Sequence, residues 1–119
     1  MEIENAYQPQ PLTVTSTTTD NAAVVTATGE IDHNSAAPLV QALDPGNLGE
    51  RTRVVIDMRQ VTFMDSSGIN LLLAAHRDLT PTGWLRLAGV QESVLRTLKI
   101  VGVDMVIDCY PSLREALAA

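Results

Sequence analysis

The chain has 119 residues, a length that supports one domain rather than several. Its 14 acidic residues outnumber its 8 lysines and arginines, so the net charge is −6, and only 3% of the residues are aromatic. This charge balance disfavours binding to nucleic-acid phosphates and to anionic lipid, and the scarcity of rings disfavours base stacking. We therefore predict no nucleic-acid partner and no membrane partner.

The cysteine content and the lack of long apolar runs set further limits. Cys109 is the single cysteine, which excludes an internal disulfide, and its apolar neighbours predict a buried thiol rather than a nucleophile. No apolar run approaches the roughly 20 residues of a membrane span. The first residues lack the basic start and apolar core of a secretory signal. These features predict a cytoplasmic protein.

The first part of the chain predicts a lead-in, a hairpin and a helix. Residues 1–11 contain the sequence QPQP and no periodicity, so we predict a flexible lead-in, followed by a single domain over residues 12–119. Residues 12–19 and 22–28 suit two strands joined by a turn at 20–21. A turn at 29–35 leads into a helix that Asn34 or Ser35 can cap and that has Pro38 in its first turn. The sequence DPG at 44–46 is predicted to end this helix.

The most informative stretch is residues 53–79. Residues 54–56 are apolar and β-branched, which favours a buried strand, and a polar turn is predicted at 57–60 before a second apolar segment at 61–64. The residues after position 68 have the spacing of one helix face: Ile69, Leu72, Leu73, His76 and Leu79. Ser66 is predicted to be the N-cap of this helix, with Ser67 and Gly68 in its first turn. A hydroxyl beside Asp65 at the positive end of a helix dipole suits an anion or a phosphate group.

The rest of the chain alternates strands with helices. We predict a strand at 84–88, a helix at 91–99 with Gly102 as its C-cap glycine, a strand at 103–107, and a last helix from the capping box at Ser112 to Leu117. Because helices separate most of the strands, the sheet must be largely parallel. The sequence therefore predicts an α/β fold with a mixed, mostly parallel sheet of about five strands and about four helices.

A hydrolase would use Ser66 or Ser67 as the nucleophile and His33 or His76 as the base. The chain lacks the Gly-x-Ser-x-Gly elbow of such enzymes, and no third, orienting group can be identified. His76 lies on the apolar stripe of its helix, whereas His33 follows a strand and can approach Ser66. The missing parts lead us to predict that the protein is not an enzyme.

A metal site would combine Asp32, His33 and Asp65. Nothing in the sequence fixes their geometry, and acidic residues in turns are more often caps or solvated charges. The chain also lacks the Gly-x-x-x-x-Gly-Lys phosphate loop of nucleotide-binding proteins. We predict no metal and no cofactor.

Four segments, in this order and at these spacings, carry a family resemblance: GEIDH at 29–33, VVID at 54–57, FMDSSGI at 63–69 and GV at 102–103. The pattern closely resembles bacterial anti-sigma factor antagonists, which are small single-domain proteins of the STAS fold, and it covers residues 12–117. Segment 63–69 is specific where it follows a strand and opens a helix. The lead-in is longer than the family pattern, and the loop at 44–53, with its proline and two glycines, can alter the choice of partner.

The resemblance implies a partner switch without catalysis. In this family the unphosphorylated antagonist binds an anti-sigma factor of the GHKL ATP-binding fold and so releases a sigma factor. The anti-sigma factor is also a serine kinase that phosphorylates the antagonist and ejects it, and a PP2C-type phosphatase resets the switch. By motif position, Ser66 is the phosphorylated residue, and Asp32 matches a position of partner contact and kinase recognition. The expected partner-binding residues are Asp32, His33, Asp65, Ser66, Ser67 and Gly68.

An alternative function uses the same fold. The chain would then be a STAS-domain scaffold or accessory protein of a stressosome-like or transport assembly, binding other STAS domains or a transporter component. A neighbouring gene for a GHKL kinase, rather than for transporter subunits, would separate the two functions.

Overall fold

The computed structural model describes residues 10–19 and 22–119. The strands are β1 (Thr13–Thr18), β2 (Ala23–Ile31), β3 (Arg53–Met64), β4 (Trp84–Ala88) and β5 (Asp108–Tyr110). The helices are α1 (Ala37–Ala42), α2 (Pro45–Leu48), α3 (Ser66–Leu79), α4 (Glu92–Ile100) and α5 (Leu113–Ala118), with a 3-10 turn at Val103–Met105. Most of the predicted lead-in (1–9) and the predicted turn at 20–21 lie outside the described residues.

The five strands form one sheet in the order β1-β2-β3-β4-β5. The edge strand β1 is antiparallel to β2, and the other neighbouring pairs are parallel, so the predicted mixed, mostly parallel sheet is confirmed. Successive residues of β3 point to opposite faces. Val54 packs in the larger core with α1, α3 and α4, whereas Val55 packs in a second cluster with Ala116 of α5. The parallel strands β2 to β5 follow one another in order, and crossovers between parallel strands are right-handed. The helices between these strands therefore lie on the same face of the sheet.

The predicted turn at 57–60 is wrong, because β3 continues through it, with one register shift against β2 between Asp57 and Gln60. Met58 is fully buried in the core, and Asp57 is only 2% exposed. The carboxylate of Asp57 is neutralised by Arg59, whose Nη2 lies 2.8 Å from Oδ2 and whose Nε lies 3.0 Å from Oδ1. A polar stretch whose residue types favour a turn is therefore accommodated in a strand, because its charges pair with each other.

The turn after β2 is shorter than predicted. β2 runs to Ile31, so residues 29–31 belong to the strand, with register shifts against β3 at Thr26/Thr28 and at Gly29/Glu30. Gly29 has φ +115°, and a Cβ there would lie 2.5 Å from the carbonyl oxygen of Pro11. A glycine lets the strand continue past this close approach.

The first helix is not capped as predicted. Its N-cap is Ala36, which forms no side-chain cap, and Pro38 lies in the first turn as expected. The Ser35 hydroxyl instead donates to the Glu30 carbonyl at 2.7 Å, and its Oγ accepts from the Asp32 N–H at 3.0 Å. Ser35 therefore stabilises the turn before the helix rather than the helix end.

The DPG sequence at 44–46 follows the end of one helix and begins another. α1 ends at Ala42, and Asp44 then caps α2, accepting from the Gly46 N–H at 3.1 Å with Pro45 in the first turn. Proline is well tolerated there because its missing N–H would have no partner inside the helix. The described residues therefore form five α-helices, where about four were predicted.

The predicted strand at 103–107 is wrong. Gly102 follows the C-cap of α4 with φ +82°, as a C-cap glycine should, and the chain then forms the 3-10 turn before the shorter β5. Val103 and Ile107 are buried four residues apart, whereas Met105 between them is 87% exposed. That burial spacing belongs to a helical turn, since a strand would bury alternate residues. Cys109, in β5, is half-buried rather than buried.

Candidate functional site

Two turns meet at the carboxyl ends of neighbouring parallel strands. β2 ends at Ile31 and β3 ends at Met64, and these two residues are paired across the sheet. The Asp65 N–H donates to the Ile31 carbonyl at 3.1 Å, which joins the turn after β3 to the turn after β2. The predicted site residues at 32–33 and at 65–68 therefore form one surface, here called the switch site: Asp32, His33, Asp65, Ser66, Ser67 and Gly68.

Asp65, not Ser66, is the N-cap of α3. Asp65 has an extended backbone, and its Oδ1 accepts from the Ser67 N–H at 2.8 Å and from the Gly68 N–H at 3.4 Å. Ser66 is the first residue of the helix and is exposed. The prediction that Ser66 caps the helix is wrong because the preceding carboxylate reaches the same backbone amides. As a result, the N-terminal cap of α3 does not require the Ser66 hydroxyl.

Gly68 lets α3 approach the strands closely. A Cβ at this position would lie 2.6 Å from Met64 Cγ and 2.9 Å from Ile31 Cγ2. Both contacts come from the strand ends that carry the two turns, so a larger residue here would push the helix N-terminus away from them. Gly68 therefore fixes the position of the switch site although it is buried.

Asp32 organises the turn after β2. Its Oδ1 accepts from the N–H groups of Asn34 and Ser35, each at 2.9 Å. Hydrogen bonding by Ser35, followed by that from the Asn34 backbone, lowers the pKa of Asp32 below its ordinary value. Asp32 is thus a negatively charged, half-exposed residue beside the N-terminus of α3.

His33 lies beside the capping carboxylate. Its Nδ1 is 3.8 Å from Asp65 Oδ2, and its side chain is 73% exposed, so the pair contributes little to stability. The prediction that His33 approaches the Ser66 end of the sheet is confirmed. His76, the other histidine, lies further along α3 near Thr80.

Neither a metal site nor a membrane span is found in the part of the chain that the structure describes. Over residues 10–19 and 22–119, no three His, Cys, Asp or Glu side chains are arranged to hold an ion. No helix within those residues has the length and apolar character needed to cross a membrane.

Sequence reasoning did not identify the apolar side chains exposed near the switch site. Phe63 is 47% exposed next to the end of β3, and Val40 on α1 is 53% exposed. The exposure of Phe63 could have been suspected from the sequence, because this aromatic residue lies just before the DSSG sequence at 65–68 in a chain with few rings. Val40 gave no such signal, since it is one of several apolar residues spaced for burial.

The chain belongs to the STAS domain family, whose model matches residues 13–116. It is 28% identical over 109 residues to the anti-sigma-F factor antagonist RsfB of Mycobacterium tuberculosis, covering 92% of this chain and 89% of RsfB. It is 30% identical over 91 residues to the anti-sigma-B factor antagonist of Listeria monocytogenes, covering 76% and 79% of the two chains. The crystal structure of an anti-sigma factor antagonist from Mycobacterium paratuberculosis superposes with a TM-score of 0.82 at 28% identity, covering 90% of this chain and 92% of that one. The family assignment from the sequence motifs is confirmed.

Proposed function

We propose that this chain is a bacterial anti-sigma factor antagonist, a cytoplasmic, non-enzymatic switch that phosphorylation of Ser66 turns off. The unphosphorylated form binds an anti-sigma factor and thereby releases a sigma factor. One observation carries the proposal: Ser66 is exposed at the first turn of α3, while Asp65 performs the capping. Its hydroxyl can therefore be modified without loss of the helix cap, in a chain whose relatives are named as antagonists.

The charge of the site explains how phosphorylation would act. A phosphate adds about −1.5 to −2 charges at neutral pH. The dipole and amides at the N-terminus of α3 partly stabilise that charge, so the fold survives. Asp65 lies next to the phosphate in sequence, Asp32 lies in the adjoining turn, and a partner seated on this surface must desolvate the new charge. Changing the bound fraction from about 90% to about 10% requires only about 2–3 kcal/mol, which one buried phosphate can supply.

The proposal involves two protein partners. The anti-sigma factor is a serine kinase of the GHKL fold that contacts Asp32, His33 and the 65–68 turn, and a PP2C-type phosphatase removes the phosphate. The family resemblance supports both partners, and the single surface formed by the two turns supports the contact residues.

The test is a comparison of Ser66→Asp and Ser66→Ala. The anti-sigma factor is identified by capture from native lysate with and without ATP, then purified, and affinities are measured by calorimetry. Ser66→Asp should weaken binding about tenfold or more, because it places a charge in the interface. Ser66→Ala should bind like wild type but should not be released when ATP is added.

The matched control is Ser93→Asp, the same substitution at an exposed serine near the N-terminus of α4. It should leave the affinity unchanged. Equal affinities for wild type, Ser66→Asp and Ser66→Ala would contradict the proposal, as would a phosphate mapped by mass spectrometry to any residue other than Ser66.

A further inference from the structure

An open groove of about 650 Å³ runs along α3 from the switch site toward the other end of the helix. α1 and α2 form one wall and α3 forms the other. The apolar part of the lining, here called the floor, comes from both walls, and its main side chains are Val40, Leu43, Leu48, Leu71 and Ala74. Ser67 lies at one end of the groove and Asp78 at the other, roughly 16 Å apart at about 1.5 Å per helical residue.

The groove exists because α1 and α3 rest on different parts of the sheet. α1 packs against β1, whereas α3 packs against β3 and β4. Each helix has already buried one residue completely in the core, Leu39 on α1 and Leu72 on α3. The groove residues Leu43 and Leu71 pack against this core only in part, Leu48 is buried in it, and Val40 remains 53% exposed. Such a leftover apolar surface is characteristic of a protein-binding site.

The charge of the groove changes along its length. Near Ser67 the lining is uncharged, with Ala36 and Asn70. The other end carries three carboxylates, Asp44, Glu50 and Asp78, against one guanidinium, Arg51. The groove is therefore apolar along its floor, uncharged where Ser67 lines it and acidic at the far end.

We propose that this groove seats an amphipathic helix of the anti-sigma factor, with an apolar face on the floor and basic residues against Asp44, Glu50 and Asp78. The proposal rests on the proposed function and names the element of the partner that the surface fits. Helices commonly bind proteins by laying an apolar face into a groove of this kind. The acidic end sets the direction of the helix, because only its basic end is attracted there.

Charge favours a basic helix over the other occupants of the groove. A second copy of this chain has a net charge of −6 and would be repelled by the acidic end. A fatty acid or an anionic lipid headgroup would meet the same repulsion. A basic amphipathic helix matches both the floor and the rim.

The groove also connects the partner to the switch. Ser67 lines the neutral end of the groove, and Ser66 is the residue before it. The uncharged end of the partner helix therefore lies next to Ser66. Binding of this helix would desolvate a phosphate on Ser66. Attraction at the acidic end positions the helix, and the charge state of Ser66 decides whether it stays.

The test measures the affinity of the purified anti-sigma factor for three variants. Ala74→Trp fills the groove and should weaken binding at least tenfold. Asp78→Lys should weaken binding about fivefold and reduce its salt dependence, because one attractive pair is replaced by repulsion. Glu115→Lys makes a comparable charge change on α5, on the opposite face of the sheet, and should bind like wild type. Thermal unfolding of each variant verifies that it is folded.

Photocrosslinking identifies the occupant directly. With p-benzoylphenylalanine in place of Ala74, the crosslink should map to a lysine- or arginine-containing helix of the anti-sigma factor. Wild-type affinity of both Ala74→Trp and Asp78→Lys would overturn the groove proposal, and a Ser66→Asp defect would then leave the proposed function standing. A crosslink to a second copy or to lipid would also overturn it. Absence of binding by the wild type would remove both proposals together.

Discussion

At the first turn of α3, Asp65 and Ser66 divide two tasks that one residue could have combined. The Asp65 carboxylate satisfies helix amides, and the Ser66 hydroxyl stays exposed. If Ser66 were the cap, its phosphorylation would remove a helix-stabilising contact worth about 1 kcal/mol and couple the switch to unfolding. Under the proposed function, the observed division would keep the effect of a phosphate on Ser66 separate from the stability of the helix.

Gly68 is the position where the switch site tolerates the least change. Gly68→Ala should lower the free energy of unfolding by about 1–2 kcal/mol, because its Cβ would clash with Met64 and Ile31 while the gain in helix propensity offsets only part of the cost. Urea denaturation measures the difference. Gly46→Ala is the control, since its Cβ would meet only the exposed Asp44 carboxylate, and it should change stability by less than about 0.5 kcal/mol. A Gly68→Ala protein as stable as wild type would show that α3 does not need this close approach.

Asp32 should make stability depend on pH in a defined direction. Its folded pKa is lowered, so its stabilising effect is present above the unfolded pKa of about 3.9 and is lost as the pH falls through the folded value. Asp32→Ala should therefore be less stable than wild type at pH 7, with a gap that narrows below about pH 4. Asp32→Asn keeps the acceptor oxygen without the titration, which makes it the matched control. A gap between wild type and Asp32→Ala that stayed constant from pH 7 to pH 3 would contradict this role.

Among the secondary-structure elements, β3 is the one that the sequence describes least well. Its polar residues at 57–60 predict a turn, but Asp57 and Arg59 pair with each other and Met58 enters the core. Met58→Ala should cost about 2–5 kcal/mol of unfolding free energy, whereas a methionine in a turn would cost almost nothing. Gln60→Ala, at an exposed position two residues further along, should be nearly neutral. A near-neutral Met58→Ala in urea denaturation would favour the turn.

Elements with a simple apolar period were predicted well, and those that depend on side-chain pairing were not. β4 and α3 follow from apolar spacing alone, and the Ser112 cap of α5 is confirmed by its 3.1 Å hydrogen bond from the Glu115 N–H. The choice between Asp65 and Ser66 as N-cap could not be made, since both residue types are good caps. The groove could not be predicted from the sequence, because it depends on where α1 and α3 pack on the sheet.

On the scale of the whole molecule, the order of parallel strands creates the site. Neighbouring parallel strands place their strand-to-helix turns side by side at the carboxyl ends of the strands. Ligands of open α/β sheets bind at these carboxyl ends. β2 and β3 are neighbours, so residues 32–33 and 65–68 meet although about 30 residues separate them along the chain. The sequence predicted a largely parallel sheet but not that β2 and β3 are neighbours, so the two turns were grouped by the family resemblance and the structure supplies the pairing that joins them.

Phosphorylation should leave this architecture intact. Ser66 is exposed at the first turn of a 14-residue helix whose dipole favours a negative charge by about 0.3–1 kcal/mol, which offsets repulsion from Asp65. Backbone amide spectra of the phosphorylated protein should therefore change near residues 30–36 and 63–72 only, with a melting temperature within a few degrees of the unmodified form. Ser66→Ala treated with the same kinase provides the unphosphorylated reference. Shifts throughout β4, β5 and α5, or a loss of spectral dispersion, would mean that the switch works by unfolding the domain rather than by charging one face of it.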